Sequence, residues 1–371
     1  GSITYTFSID GSLETACREA SLIENKEPIV GYIDRITVLP STPEENDAAI
    51  LSVADQCTDW RNLASESASS KELPERSSVE VQTVDELLAA IAPNTTIMLQ
   101  SGRHNLTTAS NYGADTRSDY YYWRDAGDGY ELVIKNLSNF EIQGVGMHAT
   151  TIETDPRYAN VIKMEDCANV WLNGFTAGHT RGNGGCGGNV IELVECSSYE
   201  MSNLGLFGCG VVGLYAKMCG NITLRNSDIY ECSSSAIQME LTNQLSIIDC
   251  DFYKIGTNTS SAYTVFFLTD CPDAQIEGCT VKDNISSYLL ASPRSHVTIS
   301  NCLIQENRFE HCALDIRSGD VILSSNQFRD NSIRKWYYYP AATAIDENGN
   351  TVKAFSTTSG EVNLPVAVLV S

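Results

Sequence analysis

Five polar or ionisable side chains in the middle of the chain follow one another at an interval that would bring them to one surface. Glu192, Tyr215 and Gln238 are each 23 residues apart, and Lys217 and Glu240 repeat the interval two positions later. If 23 residues make one coil of a stacked structure, successive coils are about 4.8 Å apart and these side chains form one compact patch. Glu192 and Glu240 would then be about 10 Å apart at the backbone, which suits the acid and base of glycoside hydrolysis.

Two residues on a predicted loop add a different chemistry to this patch. We expect His179 and Arg181 to overhang it. Together with Tyr215 and Lys217 they could abstract a proton beside a uronate carboxylate and stabilise the enolate, which is β-elimination. Two simpler interpretations stay open: alternating Glu and Lys side chains only pair across neighbouring strands, and His179 only stabilises a turn.

Two dense aromatic clusters are a second set of candidates. They are the runs Tyr120-Tyr121-Tyr122-Trp123 and Trp336-Tyr337-Tyr338-Tyr339, each flanked by Arg or Lys. Exposed Tyr and Trp rings offer a flat apolar face with a polar edge, as sugar binding requires. We therefore take Tyr121, Trp123 and Trp336, with Gln238 of the patch, as candidate substrate-binding residues. The alternative is that both clusters pack against the lateral face and the C-terminal end of the fold.

The 23-residue interval extends over the second half of the chain. Cys196 and Cys219 show it, as do Cys279 and Cys302. A fixed period of this size is typical of stacked repeats. Apolar residues alternate within segments of about three to five residues, as in half-buried strands, with turn-forming residues between them. Because no 3.6-residue pattern separates the strands, leucine-rich and ankyrin repeats are excluded. The pattern predicts a mainly β protein: a right-handed parallel β-helix with three short strands per coil.

The alignment of coils predicts which side chains of one strand point outward. The first outward column is Val133, Lys163, Glu192, Tyr215, Gln238, Phe267 and Leu290, and the second is Lys135, Glu165, Val194, Lys217, Glu240, Thr269 and Ser292. Two coils contain 29 residues instead of 23, with insertions at about 180–185 and 257–262. Both insertions precede this strand, and loops on a rigid scaffold commonly carry function.

Turn positions of the repeat contain asparagine or cysteine. Asn284, Asn307 and Asn331 are spaced by one coil and predict an internal ladder of side-chain amides. Most of the thirteen cysteines fall at inward positions and are expected to be buried thiols. Cys17 and Cys57 lie outside the repeat and are the best candidates for a disulfide. No Cys or His spacing typical of zinc sites occurs.

Composition changes along the chain predict four regions. Residues 1–65 read as a small α/β domain, 66–78 as a linker, 79–334 as the β-helix and 335–371 as a C-terminal cap. Thr83 and Glu86 form a capping box at the start of a short amphipathic helix. We expect this helix to cover the open end of the first coil, since an uncovered end is an exposed sheet edge.

The net charge of −23 excludes several partners. Nucleic acid and anionic membranes both require a basic surface. Polyanionic glycans would need a local cationic patch or bound Ca²⁺, which is the one cofactor we regard as possible. No apolar run approaches the length of a membrane span, so membrane insertion is not expected. The opening Gly-Ser resembles the remainder of an expression tag, and we expect a signal segment to have been removed.

The segment "VEVQTVDELLAAIAPNTTIMLQSGRHNL" at 79–106 resembles the opening segment of pectate-lyase-like right-handed parallel β-helix proteins. The similarity extends over about residues 79–340. The runs "GHT…GCGGNVIEL" at 178–193 and "LFGCGVVGL" at 206–214 resemble bacterial surface and secreted β-helix proteins of unassigned function. The motifs of polygalacturonases and pectin methylesterases are absent; "GHT" matches the former only in part. Ser292-Pro293-Arg294 is too common a tripeptide to identify the Arg base of a pectate lyase.

The resemblance implies an extracellular or cell-surface bacterial protein that cleaves or binds a polysaccharide or glycoconjugate. If it is an enzyme, we expect a polysaccharide lyase or a glycoside hydrolase. The alternative is a non-catalytic carbohydrate-binding, adhesive or structural surface protein. The sugar, the linkage and the oligomeric state stay open.

Overall fold

Short alternating segments of the chain form strands that stack coil upon coil. The computed structural model describes residues 73–333, except for 116–117, 183–186, 209, 257–262 and 317–319, together with the backbone of 345–348 and 351–353. Each coil runs through three long sheets in the order A, B and C, and the next coil returns to sheet A. Strand neighbours in a sheet are therefore one coil apart in sequence, which is the predicted parallel β-helix.

The strands of sheet A are Ser77–Val81, Thr95–Leu99, Ser138–Gly144, Ala168–Asn173, Ser197–Ser202, Gly220–Arg225, Asn243–Ile248, Ala274–Glu277, His296–Ser300, Asp320–Ser324 and Ile345–Asn348. The strands of sheet B are Gly102–Asn105, Thr150–Thr154, Thr176–His179, Gly205–Phe207, Asp228–Tyr230, Asp251–Tyr253, Thr280–Lys282, Leu303–Gln305, Gln327–Arg329 and Thr351–Lys353.

The strands of sheet C are Tyr121–Asp125, Tyr130–Lys135, Ile162–Glu165, Ile191–Val194, Val212–Lys217, Ser235–Glu240, Thr264–Thr269, Tyr288–Ala291 and Leu314–Asp315. A short sheet D contains Ile285–Ser286, Arg308–Phe309 and Ser332–Ile333. All described strand pairs are parallel except the first pair of sheet C, where Tyr121–Asp125 runs antiparallel to Tyr130–Lys135. The outward face of each long sheet is therefore a row of side chains repeated once per coil.

The interior contains stacked aliphatic side chains and thiols. The nine described cysteines are all free and buried, as expected from their inward columns. The predicted amide ladder is confirmed: Asn284 Nδ2 donates to Asn307 Oδ1 at 2.9 Å, and Asn307 Nδ2 donates to Asn331 Oδ1 at 2.9 Å. These amides also satisfy buried backbone groups at the turn, which would otherwise lose hydrogen bonds on folding.

The first coil is preceded by the predicted helix. It spans Val84–Ala90, with Thr83 as its N-cap and a complete capping box to Glu86. The buried face of the helix is Val84, Leu87 and Leu88. A small 3₁₀ turn, Leu106–Thr108, follows the first sheet B strand. No helix in the described residues is long and apolar enough to cross a bilayer.

Backbone strands continue into the segment that the sequence assigns to a C-terminal cap. Ile345–Asn348 pairs in parallel with sheet A, and Thr351–Lys353 pairs with sheet B. The predicted domain at 1–65, most of the predicted linker and the proposed Cys17–Cys57 pair lie outside the described residues.

The predicted outward columns of sheet C hold as far as Phe267 and then shift by one residue. Phe267 pairs with Ala291, whereas a strict 23-residue interval places Leu290 beside it. Leu290 and Ser292 are buried, so the expectation that they point outward is wrong. The interval between sheet C partners is 24 residues at this coil. Ser295 takes the turn position, where its Oγ accepts a hydrogen bond from the Cys271 backbone N–H at 3.0 Å.

Candidate functional site

The predicted patch lies on the outer face of sheet C in the predicted register. Glu192 pairs with Tyr215, Tyr215 with Gln238, and Lys217 with Glu240 on neighbouring coils. Coil stacking therefore brings these five residues together as the spacing indicates. What their side chains do there depends on their hydrogen-bond partners.

Glu192 is held in an ion pair that the sequence analysis did not identify. Lys163 Nζ lies 2.5 Å from Glu192 Oε1 and 3.3 Å from Glu165 Oε1. Asn189 Nδ2 donates to the other Glu192 oxygen at 2.8 Å. The Lys163 and Glu192 side chains are only 7% and 14% exposed. Both carboxylate oxygens of Glu192 are therefore engaged. Lys163 stands one coil before Glu192 in the same column, which is the signal that could have identified it.

The ion pairs continue toward the start of the solenoid. Arg124 lies 3.4 Å from Glu165 Oε1 and also binds Glu131. Glu131 Oε2 accepts hydrogen bonds from the backbone N–H and the side-chain amide of Asn160, at 3.0 and 2.7 Å. Charges of opposite sign alternate from Glu131 through Arg124, Glu165 and Lys163 to Glu192. We call these five residues the sheet C charge chain.

The other four residues of the patch, Tyr215, Lys217, Gln238 and Glu240, are held by fewer hydrogen bonds and ion pairs than Glu192. Gln238 Nε2 donates to Glu240 Oε1 at 3.2 Å. Burial, followed by the nearby charge of Glu240, raises the pKa of Tyr215 well above its usual value, so its hydroxyl stays protonated. Tyr215 can donate a hydrogen bond but is a poor base. No ion pair within 4.0 Å joins Lys217 to another of the described residues.

The expectation that His179 overhangs the patch is wrong. His179 ends a sheet B strand and is 2% exposed, and its Nε2 lies 2.9 Å from the Ala159 carbonyl oxygen. Burial lowers the pKa of His179, so the ring is neutral near pH 7. Arg181 is exposed. Burial opposes ionisation of Asp155, but side-chain hydrogen bonds from Thr180, Asn105 and Thr107, with a smaller contribution from the Arg181 charge, lower its pKa. Burial removes His179 from the predicted site.

The aromatic cluster at 120–123 packs against the protein and does not project into solvent. Trp123 is 8% exposed, its Nε1 donates to Asn111 Oδ1 at 3.1 Å, and Tyr112 meets it edge-on at 5.1 Å. Its predicted role in sugar stacking is therefore wrong, because no ring face is free. Tyr121 is half-buried against the core, and its hydroxyl accepts a hydrogen bond from Asn111 at 3.1 Å. Trp336 lies outside the described residues.

A different set of residues converges on the outer face of sheet B. The pattern Asp-x-Tyr occurs twice on this face, one coil apart, as Asp228/Tyr230 and Asp251/Tyr253. Tyr230 stacks on Tyr253 with centroids 5.0 Å apart and ring planes 2° apart, and Phe207 stacks on Tyr230 at 5.6 Å. Because the rings cover one another, they present edges and phenol groups to solvent. The repeat of Asp-x-Tyr at 23 residues was a signal in the sequence for this surface.

The two aspartates of this repeat form a carboxylate pair. Asp228 and Asp251 are direct register partners on neighbouring coils and both are half-buried. Burial raises the pKa of Asp228, and the adjacent charge of Asp251 raises it further, against the opposing effects of His148 and Lys282. No hydrogen bond joins either carboxylate side chain to another of the described residues. Asp228 therefore keeps its proton to a higher pH than an ordinary aspartate.

A loop at 145–149 forms one wall beside these aspartates. The Thr176 hydroxyl donates to the Met147 carbonyl oxygen, which ties the loop to sheet B. The Met147 side chain lies over Gly205, where an added Cβ would meet it at 3.3 Å. His148 lies close enough to Asp228 for its charge to oppose the rise in the Asp228 pKa. Phe207, Tyr230, Tyr253, Asp228 and Asp251 form the floor beside this wall; we call the floor and the wall together the sheet B groove.

No group of three or more His, Cys, Asp or Glu side chains within the described ranges has a geometry that could hold a metal ion. The predicted possibility of Ca²⁺ stays a prediction.

Comparisons with known proteins agree with the fold. Residues 175–333 match the family model described as "right handed beta helix region". No curated protein matches the chain significantly. Among solved structures, the pectate lyase Pel9A is 12% identical with a TM-score of 0.54, over 78% of this chain and 79% of that one.

Two further structures are more distant in shape. An alginate lyase from Paenibacillus sp. str. FPU-7 is 10% identical with a TM-score of 0.48, over 77% of this chain and 99% of that one. The ORF18 protein of Geobacillus virus E2 is 12% identical with a TM-score of 0.35, over 74% of this chain, and the match spans only 57% of the viral protein. At these identities the similarity shows the fold alone.

Proposed function

Because the chain is a right-handed parallel β-helix protein, with outer faces that are open along their length, we propose that it binds a polysaccharide in the sheet B groove and hydrolyses a glycosidic bond there. The groove is formed by residues repeated from coil to coil, as an extended polymer requires. Pel9A, which shares this fold, is a pectate lyase and so acts on a polysaccharide, which supports the substrate class but not the reaction.

The Asp228/Asp251 pair is the observation that carries the proposal. Neighbouring coils are about 4.8 Å apart, and carboxyl groups about 5–5.5 Å apart are typical of glycosidases that retain the anomeric configuration. The raised pKa of Asp228 suits the general acid that protonates the leaving oxygen. The Asp251 carboxylate then attacks the anomeric carbon and displaces the protonated leaving oxygen, which forms a glycosyl ester. Water, deprotonated by Asp228, hydrolyses this ester, releases the sugar and regenerates Asp251.

The aromatic ladder supports binding rather than the chemical step. Tyr230 and Tyr253 present ring edges and hydroxyl groups beside the aspartates. Phenol groups are both donors and acceptors, and sugar hydroxyls require both. The wall at 145–149 stands beside Asp228 and would keep a bound chain in place over the carboxylates.

A second candidate reaction is β-elimination on the outer face of sheet C. Lys217 has no ion pair in the described part of the chain and lies next to Tyr215 and Glu240. Of the residues that the sequence analysis proposed for β-elimination, Lys217 and Tyr215 still lie together on this face, whereas His179 is buried elsewhere. Glu192 would have to leave Lys163 before it could take part.

The proposal includes an extracellular or cell-surface location in a bacterium. It is supported by the choice of a polysaccharide as substrate and by burial of the nine described thiols, which protects them from oxidation.

The test is a reducing-end assay over a polysaccharide panel, with the anomeric form of the first product followed by NMR. Wild type should release products with retained configuration, and Asp228→Asn and Asp251→Asn should each lower the rate by about 10²–10⁴-fold. Asp283→Asn is the matched control, since Asp283 is exposed on the neighbouring coil, and it should be unaffected. Products absorbing at 235 nm would instead indicate elimination. Binding without cleavage would leave a carbohydrate-binding protein.

A further inference from the structure

Beyond the aspartates, one outward column of sheet B contains two basic residues. The outward column that contains Tyr230 and Tyr253 continues, one coil at a time, through Lys282, Gln305 and Arg329. We call these last three residues the cation row. Lys282 begins it directly beside the ladder, with Nζ 5.5 Å from the centroid of the Tyr253 ring.

The two cations of the row are not held in ion pairs in the described structure. No ion pair within 4.0 Å joins Lys282 or Arg329 to any residue that the structure describes. The Arg329 guanidinium is exposed and contacts only the neutral Gln327 amide oxygen among its described hydrogen-bond partners. Nearby cations behave differently: Lys254 binds Glu231 at 3.2 Å and Arg308 binds Glu310 at 3.1 Å. The charge of Lys282 acts at longer range on the Asp228 carboxyl, whose pKa it lowers. Exposed Asp283, Glu306 and Asp330 follow the three residues of the row in sequence.

The row has the spacing of an anion-binding surface. Lys282 and Arg329 are two coils apart, or about 10 Å, with the neutral donor Gln305 between them. An anionic group over the row would gain charge-assisted hydrogen bonds. The same group over Asp228 and Asp251 would be repelled, because two carboxylates lie there. The outer face of sheet B therefore favours negative charge over Lys282 and Arg329 and disfavours it over Asp228 and Asp251, which lie on the neighbouring column.

We propose that the glycan carries spaced acidic substituents: a neutral sugar lies over Asp228 and Asp251, and a carboxylate, sulfate or phosphate group lies over Lys282, Gln305 and Arg329. This inference rests on the proposed function only for the location of the glycan. It excludes polymers with a charge on every sugar, since one of those charges would lie over the aspartates.

Binding measurements with matched polymers test the inference. The probes are hyaluronate, xanthan and gellan, in which acidic groups are separated by neutral sugars, with the carboxyl-reduced form of each. Polygalacturonate, charged on every sugar, and neutral dextran complete the set. Wild type should bind at least one spaced-acid polymer about tenfold more tightly than its reduced form and more tightly than polygalacturonate. Tightest binding to polygalacturonate, equal binding to the acidic and reduced forms, or binding to no acidic polymer would overturn the inference.

Two double variants locate the effect. Lys282→Gln/Arg329→Gln should remove the preference for the acidic form. Lys254→Gln/Arg308→Gln makes the same change in net charge at cations that are already paired, and it should keep the preference. Equal losses in both variants would show a bulk charge effect and overturn the inference.

The outcome is separable from that for the proposed function. Loss of cleavage in Asp228→Asn with no effect of the Lys282/Arg329 variant would leave the hydrolase and reject the cation row. A preference that depends on Lys282 and Arg329 without any cleavage would keep the row and reject the hydrolase.

Discussion

The outer faces of sheets B and C use the same coil-to-coil spacing and arrange charge in opposite ways. On sheet C, Lys163 lies between Glu165 and Glu192, so that the carboxylates are neutralised. On sheet B, Asp228 and Asp251 are adjacent with no cation bound to either within the described residues. Like charges on neighbouring strands are unfavourable. The adjacent aspartates therefore make the outer face of sheet B the less stable of the two surfaces. Functional sites are commonly located where stability is lower than it could be.

The order of charged residues along a column determines whether its carboxylates are paired with cations. Alternating signs, as in the sheet C charge chain, give a stable surface with no free carboxylate. Repeated Asp-x-Tyr gives a surface where the pKa of one carboxyl group, that of Asp228, is raised by burial and by the charge of Asp251. The comparison predicts that substitutions on sheet C change mainly stability, whereas those on sheet B change mainly binding and turnover.

The largest expected stability effect is that of Lys163→Met. It leaves the carboxylates of Glu192 and Glu165 without their shared cation in a largely buried position. We expect a loss of about 3 kcal/mol in the free energy of unfolding, measured by denaturant titration.

Two companion variants sharpen this prediction. Lys217→Met, at a position without an ion pair in the described structure, should change stability by less than about 0.5 kcal/mol. Glu192→Gln added to Lys163→Met should recover part of the loss, because the unpaired charge is removed. Equal losses for Lys163→Met and Lys217→Met would show that the charge chain is not a stabilising unit.

A smaller effect is expected for the aromatic ladder. Tyr230→Leu removes the hydroxyl and the ring edge beside Asp228 while keeping an apolar side chain. Affinity for the glycan should fall by about 5–10-fold, measured by calorimetry, which corresponds to about one hydrogen bond. Tyr158→Leu, at an exposed tyrosine outside the ladder, should bind as wild type does. Unchanged affinity in Tyr230→Leu would place the glycan elsewhere.

The smallest effect is a pH-dependent stabilisation by Asp228→Asn. The folded pKa of Asp228 is raised above the unfolded value of about 3.9, so its contribution to stability is complete below that pH and is lost as pH rises through the folded pKa. Asparagine does not titrate. The variant should therefore gain relative stability over this window and keep the gain above it, by less than about 1 kcal/mol because solvent screens a half-exposed group. A gain that shrank with rising pH would contradict the raised pKa.

The sequence predicted correctly those features that depend on the coil-to-coil spacing or on local hydrogen bonding. The Asn284–Asn307–Asn331 ladder and the Thr83 capping box follow from spacing and local hydrogen bonding. For Glu192 the spacing identifies Lys163 as a candidate partner, but Tyr215 and Lys217 are also within reach in the register, and packing decides among the three.

Other features depend on departures from the repeat. His179 is buried because it ends its strand beneath the carbonyl of Ala159 in the preceding coil. Trp123 is buried because an antiparallel strand folds onto the first coils, which no repeat pattern predicts. The wall at 145–149 forms through a tertiary contact of Met147. The Asp-x-Tyr repeat, by contrast, could have been predicted from its 23-residue interval alone.

The most direct test of the central claim compares Asp228→Asn with Glu192→Gln in one cleavage assay. Each substitution neutralises one carboxylate at nearly constant shape, one in the sheet B groove and one on sheet C. The account predicts that kcat/KM falls by at least about 10²-fold in Asp228→Asn and changes less than about threefold in Glu192→Gln, with both proteins folded. Full activity in Asp228→Asn with activity lost in Glu192→Gln would return the site to sheet C and contradict the account.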